Sequence, residues 1–307
     1  MDSNDEIIYD SEGYIRIYKS GRAERFHGLE FVPPSSDPVT GVSSKDANVV
    51  PGVTARLYMP KLDSAKKIPI LVHFHGGAFC MGSSFDPLAH NYITSLVARA
   101  NVVAVSVNYR LAPENYLPAA YEDSYAALDW VLSHKNDGPE PWLTDHGDFT
   151  QVYTSGESSG ANIAHHVAMY GGSKLCGAVL IHPYFLSSEK VESDEFNPAL
   201  ADKLVQLWKI VCPTTIGLDD PWINPLAADA PPLAILGCKR VLILVGGADT
   251  LRDRGRAYCE KLKESEWKGE VKYWEAPGKG HGFYVFEPKS ELSEEQDKII
   301  ADFVNKI

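Results

Sequence analysis

The chain has 307 residues, 44% of them hydrophobic and 23% charged, and a formal net charge of −12 from 41 acidic and 29 basic side chains. This length can bury one large α/β domain or two small ones, and the acidic balance argues against nucleic acid or an anionic membrane as the main partner. Five scattered cysteines without a CxxC pair, a polar acidic start and apolar runs no longer than short strands, such as residues 68–72, point to a cytoplasmic protein with free thiols, no leader and no membrane span.

In chain order, residues 14–18 and 23–26 flank Lys19-Ser20-Gly21-Arg22 and read as a β-hairpin. A Pro/Ser/Asp-rich stretch over 32–42 precedes an alternating strand at 53–58. From there strands and helices alternate: strand 68–74, helix 91–100, strand 102–107, helix 119–133, strand 151–154, helix 161–169, strand 178–182, strand 240–245, helix 252–265, strand 271–274 and a closing amphipathic helix 293–306. Such alternation predicts a mostly parallel central sheet with helices on both faces. Residues 184–235 interrupt it with Ser, Glu, Asp and Pro around a helix at 198–210, and read as an insertion over the strand ends. The acidic run 189–195 within it reads as a solvated loop.

The chemistry concentrates at Gly156-Glu157-Ser158-Ser159-Gly160, a G-x-S-x-G pentapeptide between a strand and a helix. That context is a nucleophile elbow: a sharp turn exposes Ser158, and the flanking glycines let strand and helix approach closely. A serine alcohol needs an oriented base to take its proton. Two later strands end in suitable groups, Asp249 after Val245-Gly246-Gly247-Ala248 and His281 within Gly278-Lys279-Gly280-His281-Gly282. The expected catalytic residues are therefore Ser158 as nucleophile, His281 as base and Asp249 as its orienting acid, with Asp253 a rival acid placed on the following helix. Ligands of open α/β sheets bind at this edge. His75-Gly76-Gly77-Ala78 follows another buried strand and suits an oxyanion hole, with backbone donors drawn from Gly76, Gly77, Ala78 and Ser159. Which of the three loop amides donate stays open, Gly77 being the first choice. The pairs His73/His75 and His165/His166 lack the partners that would complete a metal site, so no metal is expected. Cys80 reads as a buried hydrophobe.

With these motifs the chain resembles plant carboxylesterases of the hormone-sensitive-lipase group of α/β-hydrolases, in the branch that includes 2-hydroxyisoflavanone dehydratases. The resemblance covers nearly the whole chain. It is carried by residues 18–25, 37–46, 109–114 (Tyr-Arg-Leu-Ala-Pro-Glu), 118–123, 156–165 and 220–225 (Asp-Pro-Trp-Ile-Asn-Pro). It implies one α/β-hydrolase domain over 1–307, with an eight-stranded sheet and a cap from about 1–35 and 184–235. It also implies the roles given to Ser158, Asp249 and His281 and to the 75–78 loop. Ala78 stands where the family often has Gly, and Glu157 where many relatives have Asp; a backbone donor survives the first change.

The family implies hydrolysis of a small, mostly apolar ester through an acyl-enzyme, with no metal and no organic cofactor. Its alternative is elimination or cyclisation in plant specialised metabolism by the same pocket, on an alkaloid- or flavonoid-like substrate. The hormone receptors that share this fold lack the histidine that His281 supplies here. Phe79, Tyr184, Phe185, Trp208 and Trp222 are the expected substrate-wall aromatics. Oligomeric state is left open.

Overall fold

A computed structural model describes residues 6–62 and 66–306. The opening residues 1–5, which enter both the reading of an absent leader and the expected cap, lie outside the described residues.

Strands β1 (Ile7–Ser11), β2 (Ile15–Tyr18) and β3 (Ala23–Arg25) form a small antiparallel sheet. The main sheet contains β4 (Ser43–Val50), β5 (Val53–Met59), β6 (Ile68–Phe74), β7 (Val103–Asn108), β8 (Gly147–Glu157), β9 (Gly177–Ile181), β10 (Arg240–Gly246) and β11 (Glu270–Ala276). Its spatial order is β4-β5-β7-β6-β8-β9-β10-β11. The β4–β5 and β5–β7 pairs are antiparallel, and the others are parallel. The helices are α1 (Pro87–Ala100), α2 (Ala119–Ser133), α3 (Pro141–Thr144), α4 (Ser159–Gly171), α5 (Pro198–Val211), α6 (Arg252–Glu264), α7 (Phe283–Phe286) and α8 (Glu291–Val304).

Every residue of β6 and of β10 is buried, because parallel strands carry helices on both faces. Alternate side chains divide between two cores. Ile70, Val72, Phe74 and Val105 meet Tyr121 and Leu128 of α2, Ile163 of α4 and Leu262 of α6. Leu71, Ala104, Val179 and Leu244 meet Ile93 and Leu96 of α1 and Ile300 and Phe303 of α8.

The expected helices and strands are present with moved ends. Helix α1 begins at Pro87, earlier than its apolar repeat suggests, because the Asp86 side chain accepts from the Ala89 amide at 2.8 Å and Pro87 has no amide hydrogen to leave unpaired. Strands β1 and β4 were not expected from the sequence. β4 is an edge strand whose polar run Ser43-Ser44-Lys45-Asp46 has no apolar alternation to reveal it.

The 184–235 insertion is pinned rather than loose. Asp220 accepts from Trp222 N at 3.0 Å, Thr215 Oγ1 at 2.9 Å and Ile216 N at 3.1 Å. Asn162 Nδ2 of α4 donates to the Trp222 carbonyl at 2.8 Å. The acidic run is not simply solvated: Asp194 pairs with the mostly buried Arg254 at 2.6 Å. The Ser193 amide donates to Asp253 at 2.8 Å.

Candidate active site

Matched registers bring five strand ends to one edge. Phe74 of β6 lies beside Gly156 of β8, Ile181 of β9 beside Glu157 and Leu244, and Gly246 of β10 beside Ala276 of β11. The next residues along the chain are the His75 loop, Ser158, His182, the Asp249 turn and the His281 loop.

Ser158 is half-buried, with φ 53° and ψ −117°. A non-glycine residue held there costs about 1–3 kcal/mol and persists only where its surroundings enforce it. They do: the Ser158 amide donates to Ile181 O at 2.9 Å, and its carbonyl accepts from Tyr184 N at 3.0 Å. The two glycines of the motif are steric necessities. A Cβ on Gly156 would lie 2.1 Å from Gly160 O, and one on Gly160 would lie 2.0 Å from Phe74 O.

Asp249 and His281 meet directly. Asp249 Oδ2 accepts from His281 Nδ1 at 2.8 Å, and Oδ1 accepts from the Leu251 amide at 2.9 Å. The Asp249 side chain is 1% exposed, while that of His281 keeps 34%. Burial alone would raise the Asp249 pKa, but the charge on His281 and hydrogen bonds from two imidazoles hold it well below the usual carboxylate range. For His281 the order reverses. Burial lowers its pKa, and the charge and hydrogen bond of Asp249, with the charge of Glu157, more than offset this, so it is raised. Asp253 is engaged elsewhere, by Ser193 N and by Arg252 Nε at 2.8 Å.

The 75–78 loop lies against the elbow, since a Cβ built on Gly76 would sit 3.5 Å from Ser158 Cβ. Gly77, Ala78 and Phe79 have φ of 113°, 50° and 63°, three consecutive left-handed residues that turn the loop sharply. Tyr109 braces it: its hydroxyl donates to His75 O at 2.7 Å, and its ring stacks on His75 at 4.3 Å. Arg25 of β3 donates to Cys80 O at 2.7 Å and pairs with Glu114, tying the N-terminal sheet to the loop. The four candidate donors are not equivalent. The Gly76 amide makes a long contact with Glu157 Oε1 at 3.5 Å. The amides of Gly77, Ala78 and Ser159 have no acceptor among the described residues.

Two residues that the sequence reading did not single out complete the cluster. Tyr284 donates to Glu157 Oε2 at 2.9 Å, joining the His281 loop to the elbow. Burial raises the Glu157 pKa, and the bonds from Tyr284 and Gly76 oppose that in part. His182 Nδ1 donates to the same Asp249 Oδ2 at 2.9 Å. A histidine at the exit of a parallel strand in this row was the available sign. His182, Asp249 and His281 bring three potential ligand atoms within 4.8 Å of one another, but two direct hydrogen bonds already fill that space. A zinc ion about 2.0–2.2 Å from each atom would have to displace both bonds. The other paired histidines serve the core: His73 contacts Ser155 Oγ at 3.3 Å, His165 the Tyr258 hydroxyl at 3.0 Å and His166 the Trp222 carbonyl at 3.0 Å. Burial pushes the Cys80 thiol up to about 12.

Of the aromatic candidates, Phe79 packs on Tyr184 at 6.1 Å and Trp208 at 6.3 Å between ring centroids, but all three are at most 1% exposed and belong to the core, so they offer a substrate no surface. Phe185 turns instead toward His165 and Tyr258, and Trp222 stacks on Tyr121 at 4.3 Å.

Comparison with known proteins agrees with this architecture. The model of a family described as "alpha/beta hydrolase fold" matches residues 71–285. A 2-hydroxyisoflavanone dehydratase of Glycyrrhiza echinata is 45% identical, over 97% of this chain and 96% of its own. Probable carboxylesterase 7 of Arabidopsis thaliana is 43% identical, over 98% and 99%. A chloroplastic tuliposide A-converting enzyme of Tulipa gesneriana is 45% identical, over 94% and 76%. Among solved structures, a hyperthermophilic esterase from the archaeon Pyrobaculum calidifontis superposes with a TM-score of 0.72 at 28% identity, over 85% of this chain and 84% of that one. No helix among the described residues is long and apolar enough to cross a membrane.

Proposed function

From the premise that the chain belongs to the α/β-hydrolase family of plant carboxylesterases and 2-hydroxyisoflavanone dehydratases, we propose that this carboxylesterase works through Ser158, His281 and Asp249 by way of an acyl-enzyme. The observation that carries the reading is the Asp249–His281 bond of 2.8 Å on the same sheet edge as a strained, half-buried serine. Asp249 accepts from His281 Nδ1 and so leaves Nε2 unprotonated as the base. His281 takes the Ser158 proton as Oγ attacks the ester carbonyl carbon. The resulting oxyanion receives hydrogen bonds from the unengaged amides of Gly77, Ala78 and Ser159; one such donor is worth about 2.7–4 kcal/mol in the transition state. His281 then protonates the departing alcohol, and water repeats the cycle on the acyl-enzyme.

The substrate is a small-molecule ester. The cytoplasm remains the proposed compartment, although a chloroplastic relative exists. Hydrolysis of a p-nitrophenyl acyl series by the parent, lost in Ser158→Ala, is expected. A variant as active as the parent overturns the proposal.

The 45% identity to a dehydratase favours one second reading, elimination with His281 as base. It predicts turnover of a β-hydroxy ketone that survives Ser158→Ala and is lost in His281→Ala. Hydrolysis sensitive to both variants, without ketone turnover, excludes it.

A further inference from the structure

The residue at the exit of β9, alone among the five strand exits of the row, has no part in the proposed reaction. We propose that His182 is a positioning residue for that reaction: its imidazole holds the Asp249 carboxylate with a permanent N–H donor and thereby tempers the pull of Asp249 on His281. This inference rests on the triad reading above.

The two imidazoles converge on one oxygen, His281 Nδ1 at 2.8 Å and His182 Nδ1 at 2.9 Å from Asp249 Oδ2. An ionised carboxylate can only accept, so both Nδ1 atoms carry hydrogen. The Gly282 amide lies 3.4 Å from His182 Nδ1; with that nitrogen protonated, this contact is not a hydrogen bond. With Leu251 N on Oδ1 at 2.9 Å, Asp249 is fixed at both oxygens.

His182 is built to stay in that role. Its side chain is 0% exposed, and burial lowers its pKa, so it remains neutral and does not compete with His281 for a proton. Its backbone is left-handed, at φ 49°, and its amide donates to Leu244 O at 2.7 Å. That unusual turn directs the ring at Asp249. Phe283 and Tyr284 close on the ring at 5.8 and 5.5 Å.

A second donor on Oδ2 spreads the carboxylate charge, so the His281 imidazolium is stabilised less than by a carboxylate with one partner. Removing it leaves a buried lone pair unpaired, strengthens the pull on His281 and frees Asp249 to turn. The groups facing His281 are Asp249, His182 and Glu157; those facing His182 are Asp249, His281, Tyr284 and Gln296 of α8. Of these only His182 changes in the test.

The full chain is compared with His182→Phe, which keeps a ring without a donor, and His182→Asn, whose amide can place an N–H where Nδ1–H lies. For His182→Phe, kcat on p-nitrophenyl acetate should fall about 10–100-fold, as when a hydrogen bond to a charged group is lost. The acid-side inflection of its pH profile should rise by about half a unit to one unit. His182→Asn should recover most of both. Proton NMR of the parent should show two low-field Nδ1–H resonances, one of them absent from His182→Phe. A folded His182→Phe with the parental inflection, or a parent with a single low-field resonance, overturns the proposal. Should His182→Phe fail to fold, the parent spectrum and the His182→Asn profile decide it. A parent that hydrolyses no ester counts against the triad reading, while the resonances still decide whether His182 holds Asp249.

Discussion

Asp249→Asn isolates the charge in the proposed triad from its shape. In the parent, Oδ2 accepts two imidazole N–H groups and Oδ1 accepts the Leu251 amide. An asparagine fits the same space but satisfies only one side. With its oxygen toward the imidazoles, its NH2 opposes the Leu251 N–H. With its oxygen toward Leu251, its NH2 faces both imidazoles, and His281 must move its proton to Nε2 and cease to be a base. The missing charge also matters during reaction, when His281 is positive. Two unit charges about 4 Å apart at an effective dielectric near 20 interact by about 4 kcal/mol, or about a thousandfold in rate, and the wrong tautomer in a serine protease triad costs about 10⁴-fold. Steady-state hydrolysis of p-nitrophenyl butyrate should therefore show kcat lowered by about three to four orders of magnitude, with KM little changed because no ester contact is lost. Asp253→Asn, whose parent residue binds Ser193 and Arg252, should keep most of its kcat. An Asp249→Asn enzyme within tenfold of the parent, or an Asp253→Asn enzyme crippled as badly, refutes the assignment.

Three further outcomes are expected. Since only neutral His281 can act as base and its pKa is raised by Asp249 and Glu157 against the effect of burial, kcat/KM should rise with pH through an inflection above the ordinary value of about 6.5 and be lost as pH falls through it; an inflection below that value contradicts the electrostatics. Glu157→Gln removes one of the charges that raise His281 while Tyr284 can still donate to the amide oxygen, so the same inflection should move down, and an upward shift tells against it. Gly160→Ala forces a methyl to within 2.0 Å of Phe74 O, so thermal denaturation should show a loss of about 3 kcal/mol or more; a parental melting temperature means that strand and helix are not in that contact.

Much of this site was legible because chemistry and backbone geometry coincide in short segments. Ser158 sits between glycines whose absent side chains make room for the elbow, so the motif is itself a steric statement. Asp249 and His281 were legible from their places beyond buried strands. His182 was not, because its importance lies in a register. Ile181 pairs with Leu244 and with Glu157, and only that alignment delivers the next residue to Asp249. Tyr284 was missed for a similar reason, as its bond to Glu157 spans 127 residues. The rivalry between Asp249 and Asp253 shows a converse limit. Four residues separate two carboxylates with equal credentials by type, and the turn decides that one meets His281 while the other meets the Ser193 segment. Strand β4 was hidden because an edge strand with exposed polar residues lacks the apolar alternation that a buried strand requires. Helix α1 began early because an Asp-Pro cap, not an apolar repeat, sets its start.

The most direct test of the central claim is intact-mass analysis of the parent and of His281→Ala after exposure to a fluorophosphonate, with peptide mapping of the adduct. The account predicts one stoichiometric adduct on Ser158 in the parent, formed far more slowly in His281→Ala. An unmodified parent, or an adduct on any other residue, contradicts it.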